Sequence, residues 1–253
     1  MKEHEPGLNE LPSVDAAGEV CLAVIGIVRS CFTERFGIPR QPGLVRAATA
    51  RLELLPPYNR EEMVRGLEEF SHVWVQFLFH RTVAEGWKPT VRPPRLGGRR
   101  RVGVFACRSP HRPNHLGLSV VKLEKVIAKG GEVALLLSGV DLLDGTPVLD
   151  IKPYVPYCDS PAGASGGFAM ESPQSVDIVF AEAAARFCRE YGEATGRDLE
   201  VLIRQVIGND PRPASQKGRK NGFAAALWDV DVCWTVGAGG EVVVKECRRL
   251  TAR

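Results

Sequence analysis

A series of short apolar runs, interrupted by a single helical pattern, dominates the first 155 residues. The runs are rich in Val, Ile and Leu and stop at polar, Pro or Gly residues, which is typical of β-strands. Consecutive parallel strands need long crossovers, usually helices. The series therefore predicts an antiparallel sheet that closes, or nearly closes, into a β-barrel. The predicted strands are VCLAVIGIVRS (20–30), TARLELLP (49–56), SHVWVQFLFH (71–80), RVGVFACRS (101–109), GLSVVKLEKVIAK (117–129), GEVALLLSGVDLL (131–143) and PVLDIKPYV (147–155).

The one helical pattern of this half is NREEMVRGLEEF, residues 59–70. It places Met63, Leu67 and Phe70 on one face and has acidic residues in its first turn, so it predicts a short helix. Two connections in the same half, 32–43 and 81–101, are long for a compact domain. Long connections are commonly functional, and we expect a site where they meet.

A small, polar and flexible stretch, CDSPAGASGGFAMESPQS, marks the end of the strand series. We divide the chain into an acidic tail (1–19), a barrel domain (20–160), a linker (161–175) and an α+β domain (176–253). Two helices are predicted there, in SVDIVFAEAAARFCREYG and RDLEVLIRQVIGNDP, followed by a hairpin around residues 237–240. The first helix would place Val176, Val179, Phe180, Ala183, Phe187 and Tyr191 on one face. The hairpin would place Trp228, Val230, Val232, Trp234 and Val236 on one face of its sheet.

The composition excludes several classes of protein. Of 253 residues 44% are apolar, the net charge is +3, and no apolar run approaches 18 residues, so disordered, collagen-like and membrane-spanning chains are excluded. The start of the chain lacks the apolar segment of a signal peptide. The seven cysteines are scattered, and none lies in a CxxC pair. We therefore expect a reducing, cytoplasmic environment and no structural zinc.

Charge is unevenly distributed along the chain. The tail is acidic, whereas residues 81–112 carry nine basic residues against Glu85 alone. Such a segment, interspersed with Pro and Gly, is either a solvated loop or a surface for phosphates, because Arg matches phosphate oxygens and polyanions release counterions on binding. The contrast between tail and middle favours nucleic acid. The basic residues are Arg81, Lys88, Arg92, Arg95, Arg99, Arg100, Arg101, Arg108 and Arg112.

Four segments contain more special residues than a scaffold requires. FGIPRQPGL (36–44) is either a rigid turn or a preorganised wall that presents Arg40 and Gln41. FLFHRT (77–82) ends a strand with His80 and Arg81, although a single histidine is more often structural than catalytic. The other two are VFACRSPHRPNHLGLS (104–119), with Arg108, His111, Arg112, Asn114 and His115, and GVDLLDGTPVLDIKPYVP (139–156), with Asp141, Asp144 and Asp150 around a turn.

Familiar catalytic motifs are missing from the sequence. It has no GxGxxG, no P-loop, no HExxH and no GxSxG, which argues against a Rossmann nucleotide site and the corresponding hydrolases. His111 and His115 have the spacing of zinc ligands on a helix. Pro110 and Pro113 make that segment non-helical, so we expect no metal site.

Read together, the motifs make the chain similar to the TsaA/YaeB-like (TrmO) family of bacterial tRNA methyltransferases. The resemblance runs from about Val24 to the C-terminus and rests on IGIVRS, PRQPGLV, PPYN, VRGLEEFSHVWVQFLFH, GWKPTVRPPRLGG, GVFACRSPHRPN, GLSVV, DLLDGTPVLDIKPY and DPRPA. It implies a mainly β fold with a barrel that binds S-adenosylmethionine, a homodimer, and methylation of N6 of threonylcarbamoyladenosine at position 37 in the tRNA anticodon loop.

The resemblance also implies functional residues, which we place by motif. The cofactor would contact Pro39, Arg40, Gln41, His80, Arg81, Arg108, Leu118, Asp144, Gly145, Thr146 and Pro147. A general base is optional, and the candidates are His80, His111 and Asp144. The anticodon stem-loop would be held by Arg92, Arg95, Arg99, Arg100, Asp210 and Arg212.

The chain departs from the family pattern at three positions. His115 replaces a proline and would loosen the cofactor loop, Cys107 replaces a common Thr, and Ser215 replaces a Tyr that could stack on RNA. Two other functions compete with the enzyme. One is a non-catalytic RNA-binding barrel, and the other is a hydrolase that uses His111 or His115 on a phosphorylated small molecule.

Overall fold

A closed β-barrel forms the first half of the chain. The computed structural model describes residues 18–173, 175–212, 222–237 and 239–250. In chain order the strands are β1 (Gly26–Ser30), β2 (Thr49–Leu54), β3 (His72–Leu78), β4 (Thr90–Val91), β5 (Val102–Gly103), β6 (Leu116–Lys129), β7 (Glu132–Ser138) and β8 (Pro147–Pro153). Six of them close antiparallel in the order β1-β2-β7-β6-β3-β8, while β4 and β5 pair with each other. The predicted antiparallel barrel is confirmed.

Alternating burial explains how these strands enclose a core. In β3, Val73, Val75 and Phe77 point inward and are at most 4% exposed. Opposite Phe77 in the register of β3 and β6 lies Gly117. A Cβ atom at Gly117 would lie only 2.2 Å from the Phe77 ring, so only glycine lets the two strands approach with the ring between them.

A four-stranded sheet with two packed helices forms the second half. After the short helix α1 (Pro156–Asp159) come β9 (Ile178–Phe180), α2 (Glu182–Thr195), α3 (Leu199–Gly208), β10 (Phe223–Leu227), β11 (Val230–Val236) and β12 (Val242–Arg249). The sheet order is β10-β11-β12-β9, with β9 parallel to β12. The predicted second helix is confirmed as α3, where the Asp198 side chain caps the first turn by accepting from Val201 N at 3.0 Å.

The long β1–β2 connection joins the two halves. Its residues make backbone contacts with the second sheet, and the Phe36 and Trp234 rings stack with centroids 5.9 Å apart. Buried residues of both halves form one continuous apolar cluster. The connection, which carries the FGIPRQPGL segment, is therefore held from both sides. Hydrogen bonds across the junction include Trp228 N to Cys31 O (2.7 Å), Ala226 N to Glu34 Oε1 (2.8 Å), Ala47 N to Gln205 Oε1 (2.9 Å) and Asn209 Nδ2 to Leu44 O (3.2 Å).

The predicted helix at residues 59–70 is wrong. The segment forms two isolated 3-10 turns, Glu61–Met63 and Leu67–Glu69. Between them Gly66 adopts a φ of 83°, a left-handed conformation that ends a helix. Met63, expected on the buried face, is 56% exposed.

The predicted strand in GEVALLLSGVDLL ends at Ser138 rather than Leu143, and two other predicted strands are also shorter than expected. The first begins at Gly26 rather than Val20. In RVGVFACRS only Val102–Gly103 is a strand, and Val104–Ala106 turns into a 3-10 helix. The cause in the second case is local, because β5 pairs only with the two-residue β4 and has no place in the barrel.

The predicted helix over 175–192 is correct only from Glu182 onward. Ile178–Phe180 forms a strand instead, because it pairs with β12 from the end of the chain, and Val179 is 57% exposed. In the predicted hairpin, Trp228 lies in the turn between β10 and β11 with a φ of 52°, so it does not belong to the face of the strand. None of the helices in the described ranges has the length and hydropathy of a membrane span.

Candidate functional site

A cavity of about 560 Å³ opens at one end of the barrel. All four segments singled out in the sequence contribute to its wall: the β1–β2 connection, the end of β3, the loop before β6 and the segment after β7. Phe77, Leu116 and Leu118 supply apolar surface. The titratable residues in the wall are Arg35, Arg40, His80, Arg81, Cys107, Arg108, Arg112 and Asp141.

The structure brings most of the predicted cofactor residues to this cavity. Its wall includes Pro39, Arg40, Gln41, His80, Arg81, Arg108, Leu118 and Thr146. The other residues of the DGTP turn, Asp144, Gly145 and Pro147, are not part of the lining. Asp144 instead accepts a hydrogen bond of 2.9 Å from Ser30 N, and its own N–H donates to Phe32 O at 2.8 Å. The Asp144 carboxylate thus ties the turn to β1, a structural task that the motif did not reveal.

Hydrogen bonds hold several of the cavity's arginines. Arg108 donates to the Gln41 side-chain oxygen, which joins the two predicted cofactor loops. Arg112 Nη1 donates to Cys107 O at 2.7 Å. A guanidinium that is already held in place loses little conformational entropy when it binds a carboxylate or phosphate. The wall is therefore preorganised for an anionic group.

Of the three candidate bases, only His80 lies in the cavity wall. Burial, aided by the charge of Arg81, lowers the pKa of His80, so its imidazole is neutral at pH 7 and able to accept a proton. The His111 ring is not part of the lining. Its Nε2 is 3.8 Å from Glu85 Oε2, and its buried Nδ1 has no hydrogen-bond partner in the described part of the chain.

Asp141 lies in the cavity wall, although it is not among the predicted cofactor contacts. It follows β7, and the carboxyl interacts with the side chain of Ser119 on the neighbouring β6, which is 2% exposed. Burial raises the pKa of Asp141 to about 6, against the opposing effects of the Ser119 hydrogen bond and the Arg108 charge. The sequence shows Asp141 only as one of several acids near a turn. Nothing local marks its Oδ1 as buried, because Ser119, the partner of the carboxyl, lies on another strand, β6.

His115 closes the loop between β5 and β6 without the proline of the family pattern. Its φ is 49°, a conformation that proline cannot adopt. Its N–H donates to Arg112 O at 3.1 Å, its carbonyl accepts from Phe79 N at 2.8 Å, and Nδ1 lies 3.0 Å from Pro110 O. The expected loosening is therefore wrong, because the loop is tied at three points. The non-helical conformation predicted from the two prolines is confirmed.

The predicted RNA-contacting residues fall into two groups. Arg92, Arg95, Arg99 and Arg100 are exposed on the β4–β5 connection. In contrast, Arg212 Nε donates to Asp210 Oδ1 at 2.7 Å, and its guanidinium lies 5.4 Å from the Phe223 ring centroid. Ser215, one of the three departures from the family pattern, lies outside the described residues, as do residues 1–17 of the acidic tail.

The Asp210–Arg212 turn is linked to the cavity. Arg40 Nη2 donates to Arg212 O at 2.9 Å. Burial lowers the pKa of Arg40, the nearby Asp210 raises it, and the charge of Arg95 lowers it further. Arg95 of the β4–β5 connection thus lies within electrostatic range of Arg40 in the cavity wall.

Comparison with known proteins agrees with this architecture. The family description "tRNA-methyltransferase O N-terminal domain" matches residues 27–160, and "TrmO C-terminal domain" matches residues 173–249. Over 233 residues the chain is 47% identical to the tRNA (adenine(37)-N6)-methyltransferase of Escherichia coli K12, covering 88% of this chain and 97% of that protein. It is 52% identical over 214 residues, 83% of this chain and 90% of the relative, to a Pseudomonas aeruginosa protein whose name describes an S-adenosylmethionine-dependent methyltransferase.

A solved structure shares the fold. The crystal structure of TrmO from Pseudomonas aeruginosa matches with a TM-score of 0.77 and 42% sequence identity, covering 90% of this chain and 97% of that chain. Both halves of the chain are thus matched by one family. The chain belongs to the tRNA-methyltransferase O family.

Proposed function

We propose that this protein transfers a methyl group from S-adenosylmethionine to N6 of adenine 37 in the anticodon loop of tRNA. The natural substrate would carry a threonylcarbamoyl group on that nitrogen, with threonine tRNA as the first to test. The observation that carries the proposal is the cavity at the end of the barrel, which is assembled from the family's own motifs. The names of the relatives at 47% and 52% identity support the reaction and the cofactor.

The residues of the cavity fit S-adenosylmethionine. About 560 Å³ is within the range of small-ligand sites. Arg40, Arg81 and Arg108 offer forks for the cofactor's carboxylate, and Leu118, 50% exposed, offers apolar surface to an adenine ring. The buried Oδ1 of Asp141 has no hydrogen-bond partner among the described residues, which suits a site completed by a ligand. The cofactor, when bound, supplies an electrophilic methyl group on a sulfonium.

Positioning and proton removal are the tasks left to this chain. The N6 nitrogen of the proposed substrate is urea-like and a poor nucleophile, and it must lose its proton when it is methylated. His80 lies in the wall with a lowered pKa, so its neutral imidazole is the group we propose to accept that proton. The preorganised loops around Arg108 and Gln41 would hold the reactants in line, which supplies much of the acceleration in such transfers.

The exposed arginines of the β4–β5 connection are the proposed contacts to tRNA phosphates. Arg92, Arg95, Arg99 and Arg100 present exposed positive charge, and Arg95 acts electrostatically on Arg40 of the cavity wall. Such charge attracts a polyanion, which releases its counterions on binding. An anticodon-loop base can be splayed out of a single-stranded region at low cost and enter the cavity. Asp210 and Arg212, also predicted to hold tRNA, would act through Arg40, because Arg212 is paired within its own turn.

We further propose a homodimer that works in the cytoplasm, where its tRNA substrate is modified. The support for a second copy is exposed apolar surface: Phe105, in the cavity wall, is 77% exposed, and Trp87 is 59% exposed. Light scattering after size exclusion would test the assembly. A dimer that dissociates when Phe105 is replaced by Asp would support it, and a monomer at micromolar concentration would refute it.

The test of function is a methylation assay with defined tRNA. Purified protein is incubated with S-adenosylmethionine and threonine tRNA, with and without the threonylcarbamoyl group, and the digested nucleosides are analysed by mass spectrometry. We expect a methyl gain only on the modified nucleoside. A methyl gain on unmodified adenosine would show that the threonylcarbamoyl group is not required, and the proposed substrate would be wrong. If no methyl is gained and no cofactor binds, the chain is a non-catalytic RNA-binding barrel.

A matched pair of variants ties the reaction to the cavity. Arg40→Ala removes a cavity guanidinium, so cofactor binding and methyl transfer should fall while tRNA binding is largely kept. Arg29→Ala removes an exposed arginine on β1 that pairs with Glu53 at 3.2 Å, and it should change neither. Equal activity of the two variants would contradict the placement of the site.

A further inference from the structure

The charges in the cavity wall are strongly unbalanced. Five arginines line it, whereas Asp141 is the single carboxylate among the described lining residues. The arginines of such a wall attract an anionic group and repel a cation, whereas Asp141 attracts a cation. A ligand that carries both signs of charge would therefore have one place for its positive groups.

The Asp141 carboxylate is only partly hydrogen-bonded within the described part of the chain. Its Oδ1 is buried and has no hydrogen-bond partner among the described residues, although its carboxyl interacts with Ser119. Other partly buried acids are engaged: Asp144 accepts from Ser30 N at 2.9 Å, and Asp159 accepts from Trp74 Nε1 at 2.9 Å. A buried polar atom without a partner is costly and calls for a role beyond packing.

Arg108, whose charge acts on Asp141, is not its hydrogen-bond partner. Arg108 acts on Asp141 only through its electrostatic field, and its guanidinium is hydrogen-bonded to Gln41. The two carboxylate oxygens exchange by rotation about a soft torsion, so either can turn toward the cavity. Asp141 thus remains available as an acceptor for a ligand in the cavity.

We infer that the Asp141 carboxylate is the counter-charge for the cationic part of S-adenosylmethionine, a role that rests on the proposed function. The cofactor offers two cationic groups, the sulfonium and the ammonium of its methionine part. A carboxylate in a water-poor pocket interacts with a cation more strongly than it would in water. If the sulfonium is the partner, the by-product S-adenosylhomocysteine is released more easily after methyl transfer, because its sulfur carries no charge.

The test is calorimetric binding of three ligands to wild type and Asp141→Asn. The ligands are S-adenosylmethionine, neutral-sulfur S-adenosylhomocysteine and sinefungin, which has a charged amine in place of the methylsulfonium. We expect Asp141→Asn to weaken S-adenosylmethionine binding by about tenfold or more. A loss confined to the first and third ligands assigns the sulfonium, and an equal loss for all three assigns the ammonium. Unchanged affinity for S-adenosylmethionine would overturn the inference.

Two further variants keep the result interpretable. Asp150→Asn removes an exposed carboxylate of β8 and should retain wild-type affinity, whereas an equal loss there would overturn the inference. Ser119→Ala removes the hydrogen bond that orients Asp141 and should weaken S-adenosylmethionine several-fold, which tests the role even if Asp141→Asn does not fold. If wild type itself binds no S-adenosylmethionine, the proposed function fails. If wild type binds it and Asp141→Asn binds it equally, only this inference fails.

Discussion

The Arg40 guanidinium of the barrel domain donates a hydrogen bond of 2.9 Å to the carbonyl oxygen of Arg212 in the second domain. Arg212 is itself held by the carboxylate of Asp210 and lies over the Phe223 ring. One side chain of the cavity wall is therefore positioned by the appended domain. Through this contact the second domain helps to position a side chain of the cavity wall, which an independent RNA-binding module would not do.

Removing the Asp210 side chain should loosen that connection. We expect Asp210→Ala to lower the free energy of unfolding by about 2 kcal/mol, because the half-buried Arg212 loses a charge-assisted partner. Cofactor affinity should fall several-fold as Arg40 loses its fixed acceptor. Urea unfolding and calorimetry measure the two effects. Glu62→Ala, which breaks an exposed pair with Arg60 at 3.8 Å, is the control and should leave both unchanged. Wild-type affinity in Asp210→Ala would refute the link.

Gly117 should not tolerate even a methyl group. A Cβ atom there would lie 2.2 Å from Phe77 Cζ, so the ring must shift within the barrel and the cavity wall with it. We expect Gly117→Ala to destabilise the protein by about 1–3 kcal/mol. Gly103→Ala has no atom within 4 Å of the new Cβ and a negative φ, so its melting temperature should stay near that of wild type. Equal melting temperatures for both variants would contradict the packing described.

The exposed arginines should carry part of the salt dependence of tRNA binding. Arg99→Ala and Arg100→Ala should each weaken binding about equally across tRNA sequences and reduce the slope of log K against log salt by about 1. Filter binding or fluorescence anisotropy at several salt concentrations measures the slope. Arg29→Ala on the barrel wall, already paired with Glu53, is the matched control. A slope that is the same in all three variants and wild type would place the RNA surface elsewhere.

Asp141 should make the stability of the protein depend on pH. Its pKa is raised to about 6 in the folded chain from an ordinary value of 3.8, so the folded state holds a proton between pH 4 and 6 that the unfolded state has lost. Stability therefore falls as the pH rises through this window. At pH 7.5 Asp141→Asn should be more stable than wild type, by on the order of 2 kcal/mol, and the difference should vanish near pH 4.

Urea unfolding at a series of pH values measures this difference. The other titratable groups of the cavity wall are His80, Cys107 and the arginines Arg35, Arg40, Arg81, Arg108 and Arg112, and they are common to both proteins. Subtracting the two profiles therefore isolates the carboxyl. A difference that does not change between pH 4 and 7.5 would contradict the raised pKa of Asp141.

The elements predicted well from the sequence are those whose pattern is local. The residues of β3, β6, β7 and β8 alternate or run apolar over their own length, and α3 has a capping Asp198 and a full apolar face. Where the local sequence pattern was misleading, pairing with residues distant in the chain determined the secondary structure. Ile178–Phe180 has a helical periodicity but pairs with β12, some 64 residues further along the chain.

The residues of the site divide in the same way. Motifs located the loops that carry Arg40, His80 and Arg108, because those loops are unusual in their own composition. They did not separate Asp144, which ties a turn to β1, from Asp141, which lines the cavity. Both are acids three positions apart in one segment, and only the packing of β6 beside β7 distinguishes them.

By itself the sequence determined most of the barrel strands, the appended α+β half and the segments that line the cavity, since each follows from short-range periodicity or local composition. Only the tertiary structure decided which acid is buried in the cavity, how Arg40 reaches Arg212, and how His115 closes its loop. The physical reason is that burial and hydrogen-bond partners are properties of neighbours in space. Those neighbours come from strands and loops that are far apart in the chain.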